Sequence, residues 1–199
     1  CLQGRSSSCS HPYDDPFQLN KSVQYYLHSS LASTSSLGYK TAMHSDDISF
    51  YIGNVPINGR VILAPMDGFS DPPFRLLCRQ FGSAISYIAF ISARELLQEH
   101  NLSRSDLQFD PRERPVSIQL YDNDVNRLLK AAKRIQDLKP DMIDINMGCS
   151  TRRVSRRGSG AGLLCDRQKI ANIIGQLSSS LEIPLTAKIR LGWDDKHRN

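Results

Sequence analysis

Short apolar segments alternating with amphipathic helical ones mark this chain as a parallel α/β fold. Three observations carry that expectation. From residue 50 onward the apolar runs recur between clusters of Gly, Pro and Asp. Most are apolar on both faces, as strands covered by helices on each side must be. Between them, apolar residues return every three or four positions, the period of a helix with one buried face.

The elements follow in order. Residues 1–49 hold little periodic apolar pattern, and 12 of the first 50 residues are serine, so 1–49 is expected to be a disordered extension preceding a domain over 50–199. Segments 50–55 and 60–63 flank Pro56-Ile57-Asn58-Gly59, and Asn-Gly between apolar runs signals a hairpin turn. A first strand is expected over 61–65. Asp71-Pro72-Pro73 starts a helix with Asp as N-cap and Pro in the first turn; it carries Phe74, Leu77, Cys78 and Phe81 and stops at Gly82. The second strand is 85–90, followed by a helix over 93–98. The third strand is 115–120, followed by a helix over 124–138 with Val125, Leu128, Leu129, Ala132 and Ile135 on one face. The fourth strand is 142–145. The helix after it is 166–177, with Ile170, Ile173, Ile174 and Leu177, and the fifth strand is 184–189.

Five strand–helix steps without a reversal fit either an open doubly wound sheet or a (β/α)8 TIM barrel. A whole barrel needs roughly 200–250 residues, and only about 150 carry the pattern. The expectation is therefore a barrel truncated after about its fifth strand, preceded by a β-hairpin and the extension.

Composition narrows the class of function. Net charge is +5 over 199 residues. Arg5, Lys21, Lys40 and Arg60 balance Asp14, Asp15, Asp46 and Asp47, so the excess lies after residue 60. That distribution suits either a polyanionic partner or an ordinary solubilising surface. No apolar run approaches the ~18 residues of a membrane span, so no membrane association is expected. The five cysteines form no C-x-x-C pair. No metal site is expected, and the thiols are read as reduced, with Cys78 and Cys165 packing the core.

Sites in parallel α/β folds form at the carboxyl ends of strands, and the unusual residues concentrate there. The first strand ends in Pro65-Met66-Asp67-Gly68, the third carries Gln119, the fourth ends in Asn146 with Cys149 in its loop, and the fifth carries Lys188 and Arg190. Taken singly, Gln119 reads as a satisfied core amide and Cys149 as packing. Their placement at one rim favours a site. After Cys149 come Arg152, Arg153, Arg156 and Arg157, either a solvated turn or a set of phosphate contacts. Gly158, Gly160 and Gly162 then imply close backbone approach or a mobile loop rather than a nucleotide fingerprint.

Several segments together carry a resemblance: 64–71, Phe74-Arg75, Gln119-Leu120, Asp144-Ile145-Asn146-Met147-Gly148-Cys149, 158–164 and Lys188-Ile189-Arg190-Leu191-Gly192. In that order they resemble the tRNA-dihydrouridine synthases over about 50–195. The resemblance implies a flavin enzyme with an amino-terminal TIM barrel and a following helical domain, which binds FMN and uses NADPH to reduce the C5=C6 bond of particular uridines in tRNA. It places Pro65, Met66 and Asp67 along the flavin, Gln119 at its pyrimidine edge, Lys188 at its N1/O2 edge, Asn146 beside the site, and Cys149 as the catalytic proton donor. It implies tRNA as the partner; the reduced thiols suit a cytoplasmic protein, and a monomer is expected. One departure concerns the loop. The family usually has Gly-Cys-Pro, whereas Ser150 follows the cysteine here, which frees a backbone torsion that proline would hold. The remaining strands and the helical domain are expected to be absent from this chain.

The chemistry suits these residue types. Uracil accepts hydride at C6 and then needs a proton at C5, which a neutral thiol at Cys149 supplies as general acid. Arginines packed against that sulfur would favour the thiolate, so the arginine run is expected to face phosphates instead. Two other readings remain: a barrel flavoenzyme acting on a small molecule, such as a dihydroorotate dehydrogenase or an ene-reductase, and a non-catalytic RNA-binding remnant.

Overall fold

The structure is a computed structural model that describes residues 48–98 and 107–198. The extension expected over 1–49 lies outside the described residues except for Ile48 and Ser49. Ser49 already belongs to the ordered part: its N–H donates to Ile57 O at 2.8 Å and its Oγ accepts from Gly59 N at 3.1 Å.

Four strands form one parallel sheet in the order β3-β4-β5-β6: β3 (Ser86–Ser92), β4 (Val116–Tyr121), β5 (Met142–Asn146) and β6 (Leu185–Lys188). Each follows its predecessor in sequence and pairs with it in parallel, so a crossover connection joins every neighbouring pair. The amino-terminal hairpin pairs β1 (Phe50–Ile52) with β2 (Val55–Ile57). Its turn differs from expectation. Ile52 faces Val55, so Gly53 and Asn54 make the two-residue turn and Asn58-Gly59 lies beyond it. Gly53 takes a φ of +58°, which suits a tight hairpin turn. Ile57, fully buried with Ala84, Ile85 and Met142, fixes the hairpin against the amino ends of β3 and β5.

The first expected strand, 61–65, has no strand pairing in the described sheet. Its links are single bonds, Ala84 N to Val61 O at 2.8 Å and Leu63 N to Ser83 Oγ at 3.0 Å. Val61 and Ile62 stay exposed. Among the described residues no strand pairs with it, so it closes no ladder.

Helix α1 (Pro72–Gln80) begins as expected, with Asp71 Oδ1 accepting from Phe74 N at 3.0 Å. Its apolar residues are largely open to solvent. Phe74, Leu77 and Phe81 remain 37%, 48% and 76% exposed, and the residue the helix buries is Arg75. Helix α2 (Ala93–Gln98) buries Ala93 and Leu96. Helix α3 (Val125–Gln136) is capped by Asp124 and buries Leu128, Ala131, Ala132 and Ile135. After the short helix α4 (Arg152–Ser155), α5 (Arg167–Ser180) is capped by Asp166 and buries Ile173 and Leu177. These stripes meet Ile88, Ile118, Leu120, Ile143 and Ile145 on the sheet's outer face to form the main core. Each fully buried Leu or Ile contributes about 1.5–3 kcal/mol. Cys78 and Cys149 are free thiols. Cys165 is exposed rather than packed into the core.

The β4–α3 junction is held by charge. Asp122 accepts from the backbone N–H groups of Asn123 at 2.7 Å and Asp124 at 3.0 Å, and from Arg127 Nη2 at 2.6 Å. Burial pushes its carboxyl up, but the Arg127 hydrogen bonds and the two backbone donors outweigh that and leave it below the ordinary value. A carboxyl lowered by folding stabilises above its unfolded pKa, and the contribution disappears as pH falls through the folded value. Asp122→Asn should therefore cost about 1–3 kcal/mol at neutral pH. Urea unfolding followed against pH should show that gap closing below the ordinary carboxylate range near ~3.9.

Candidate functional site

The inner face of the sheet is polar where the outer face is apolar. Strand alternation and the register, Gln119 beside Asp144 beside Thr186 and then Asn146 beside Lys188, put these five residues on one side. Tyr87 of β3 joins them: burial, the nearby Asp144 charge and an opposing Thr186 hydrogen bond leave its hydroxyl pushed up to about 12.

Buried polar groups in strands must satisfy one another, and these do so in a row. Thr186 Oγ1 and Gln119 Nε2 donate to the two oxygens of Asp144. Asn146 Nδ2 donates to Gln119 Oε1 at 2.9 Å. Asn146 Oδ1 then accepts from the backbone N–H groups of Gly148 at 3.1 Å and Cys149 at 2.9 Å. Burial raises the Asp144 carboxyl above its ordinary value, against the pull of Gln119, Thr186 and the Lys188 charge. Gln119 is fully buried, its amide held between Asp144 and Asn146.

The loop bearing Cys149 is tied from three sides. Met147 N donates to Lys188 O at 2.9 Å. Arg190 donates through Nε to Gly148 O and through Nη2 to Ser150 Oγ at 3.1 Å. Ala161 N donates to Cys149 O at 2.9 Å. Ser150, where the resemblance leads one to expect proline, thus gains a hydrogen-bonded anchor in place of a rigid ring. The glycines serve close approach: Gly160 has a φ of +55°, and a Cβ there would lie 2.7 Å from Cys149 O, while one at Gly162 would collide with Ser155 O. The mobile-loop reading gives way to a packed turn in which Gly160, Ala161, Leu163 and Leu164 are buried.

Cys149 Sγ lies 3.3 Å from Thr151 Oγ1. Cys149 follows β5 and Lys188 ends β6, so both stand at the carboxyl ends of adjacent strands, with Lys188 exposed. Of the arginine run on and just after α4, all four are exposed.

The turn after 61–65 is built from Met66 and Ser70. Phe69 N and Ser70 N donate to Met66 O at 3.1 and 2.9 Å, and Met66 N donates to Ser70 Oγ at 2.8 Å. Arg75 secures it from below, donating to Ser70 O at 2.7 Å, to Gln108 O at 3.0 Å and to Glu113 Oε2 at 2.5 Å. Arg75 and Glu113 are 1% and 0% exposed. A cavity of about 400 Å³ opens between this turn and the ends of β3 and β4, lined by Asp67, Phe69, Phe90, Tyr121, Glu95 and Arg153 among others. It brings Asp67 and Arg153 together. Cys149, Asn146 and Lys188 lie outside its lining.

Asp144, Thr186, Arg75 and Glu113 had no assigned role in the sequence reading. A signal existed for the first: an aspartate inside the wholly buried strand Met142–Asn146 must be paired.

The site thus belongs to a four-stranded parallel α/β sheet with a polar inner face, and a thiol, an ammonium and guanidinium groups stand at or just beyond its strands' carboxyl ends. The Dihydrouridine synthase (Dus) family model matches residues 62–199, and the chain belongs to that family. It is 37% identical over 148 residues to the tRNA-dihydrouridine synthase B of Pseudomonas aeruginosa, covering 74% of this chain and 45% of that protein. It is 34% identical over 149 residues to the probable tRNA-dihydrouridine synthase 1 of a Synechocystis species, covering 74% and 42%, and 34% identical over 150 residues to a probable tRNA-dihydrouridine synthase of Rickettsia bellii, covering 74% and 46%. The chain thus spans about half the length of these curated relatives.

Removing the Arg75 charge leaves Glu113 buried without its partner, so Arg75→Met should cost about 3–5 kcal/mol in denaturant unfolding. A loss within ~0.5 kcal/mol, the scale of a surface change, would contradict the anchoring role.

Proposed function

We propose that this chain forms part of a flavin-dependent TIM barrel that reduces uridine in tRNA to 5,6-dihydrouridine. The observation that carries the reading is Cys149, its backbone locked by Asn146 at the carboxyl end of β5 beside Lys188 of β6 and an arginine-bearing helix. Two apolar margins support the barrel: Val61, Ile62, Phe74, Leu77 and Phe81 on one side, and Ile189 and Leu191 on the other, all exposed. Further strand–helix units would cover them.

The residues fit FMN. Lys188 is an exposed cation at the mouth of the polar face, with no carboxylate in ion-pair contact among the described residues. It suits the negative edge of a reduced isoalloxazine. Pro65, Met66 and Asp67 would border the cofactor from the first turn, Asn146 would reach it from β5, and Gln119 would support that set from within the sheet. When bound and reduced by NADPH, FMN supplies the hydride for C6 of uracil.

The chain's own residues supply the rest. Cys149 delivers its thiol proton to C5, so hydride and proton together saturate the C5=C6 bond. Thr151 Oγ1, 3.3 Å from Sγ, gives the thiol a hydroxyl partner. The exposed Arg153, Arg156 and Arg157 contact phosphates, and those contacts offset the few kcal/mol needed to unstack the target uridine. The reading carries with it a monomer acting in the cytoplasm. No helix of the described residues is long and apolar enough to cross a membrane.

Incubation of the protein with unmodified tRNA, FMN and NADPH should yield dihydrouridine, detected as a gain of two hydrogens in nucleoside mass spectrometry. Cys149→Ala should slow that conversion roughly 10²–10⁴-fold while flavin absorbance stays with the protein. Turnover of free pyrimidines with tRNA left unmodified would assign the site to a small molecule instead. Replacing Arg153 and Arg156 by Ala should weaken tRNA binding for all sequences alike and make its salt dependence shallower by about one unit per lost phosphate contact.

A further inference from the structure

The polar row on the inner face has a direction. Thr186, Gln119 and Asn146 donate along it, and every side-chain donor points toward Asp144. The far end is the backbone of the Cys149 loop, where Asn146 Oδ1 takes two N–H groups. Each amide in the row has a donor end and an acceptor end and could be turned over without changing its shape. An ionised carboxylate offers acceptors alone, so it cannot be satisfied in either sense.

Reversal shows what is at stake. With Gln119 turned over, its oxygen would face the Asp144 carboxylate, and its Nε2 would face Asn146 Nδ2. Asn146 would then have to turn too, setting its NH2 against the N–H groups of Gly148 and Cys149. The loop would lose both bonds that hold the start of its turn. We propose that Asp144 is a positioning residue for Cys149: it sets the sense of the Gln119 and Asn146 amides and so aims Asn146 Oδ1 at the backbone that carries the thiol. This deepens the proposed reaction by saying how its proton donor is held, and so rests on that reading for its functional meaning. The row can nevertheless be tested without tRNA, FMN or NADPH.

The test uses hydrogen exchange of the peptide over 146–151, together with the alkylation rate of Cys149, in the otherwise unaltered chain. Asn146→Asp retains acceptors for the loop but places carboxylates at both ends of Gln119, so one must meet the amide oxygen. Exchange at Gly148 and Cys149 should rise roughly tenfold, the scale of one hydrogen bond's net contribution, and alkylation should change with it. Asp144→Asn alone keeps the original sense, because the substituted amide can show its oxygen to Gln119 and its NH2 to the Thr186 hydroxyl; exchange should stay within about threefold, well inside one hydrogen bond's contribution. The double variant D144N/N146D permits the whole row to run backwards, with Gln119 donating to the carboxylate introduced on β5's last residue, and should recover most of the protection lost in N146D.

A role in packing alone predicts that the two substitutions add, leaving the double variant at least as loose as N146D. That outcome, or wild-type exchange in N146D, overturns the proposal. Asp144→Leu separates direction from charge repulsion: it removes a carboxylate yet should still loosen the loop, whereas repulsion predicts no change. If D144L fails to fold, the double variant still decides. Recovery of protection in the double variant, with no dihydrouridine formed by the unsubstituted chain, would sustain the row and sink the proposed reaction; dihydrouridine formed by the unsubstituted chain, without recovery in the double variant, would do the reverse.

Discussion

Burying a polar side chain inside a sheet is costly unless its hydrogen bonds are met, and an amide or a carboxylate costs the most when they are not. Here that constraint links three strands. Asp144, Gln119, Asn146 and Thr186 come from β4, β5 and β6, and no two neighbouring strands could shift register without breaking the row. The shape of the Cys149 loop depends on it, because the last member of the row is the acceptor for that loop's backbone. The outer face imposes the opposite rule: Ile118, Leu120, Ile143 and Ile145 meet the helices there. Strand alternation keeps the two requirements apart.

Two arginines extend the same logic to the rim. Arg190 reaches back from the segment after β6 to Gly148 and Ser150, fastening the thiol loop from its second side. Arg75 fastens the turn after residue 65 through Ser70, while its charge is met by Glu113 and its remaining donor by Gln108. Both arginines bind backbone carbonyls, which have no side chain through which to be selected. That lets each loop vary in sequence while keeping its path. At Ser150 the contact is instead to a side chain, with a hydroxyl bond standing where a proline ring would otherwise constrain the backbone.

Most of the scaffold was legible in the sequence because it rests on local rules. Asp71, Asp124 and Asp166 cap helices where their spacing to the apolar stripes required, and strands 116–121, 142–146 and 185–188 fall within a residue or two of their apolar runs. The misses share a cause. The hairpin turned at Gly53 rather than Asn58-Gly59, since pairing register depends on which residue reaches Met142 and Ile85 across the sheet. Segment 61–65 read as a strand by composition, but among the described residues no strand pairs with it, and a ladder is a property of two chains. Phe74, Leu77 and Phe81, the apolar residues read on the helix after Asp71, stay exposed.

The order of residues alone was enough for the alternation of strands and helices, the identity of the thiol and the ammonium at the strand ends, and the family that shares them. Periodicity, caps and ordered motifs act over a few residues, so they are present in the linear string. It took the folded chain to establish that Gln119 is an internal link between Asp144 and Asn146, that Arg75 belongs to the core, and that the arginine–glycine segment is a packed turn. The first two depend on donors and acceptors brought together from 25 to 38 residues apart, and the turn on the close approach of Gly160 to Cys149 and of Gly162 to Ser155; partners of that kind are chosen by the folded geometry.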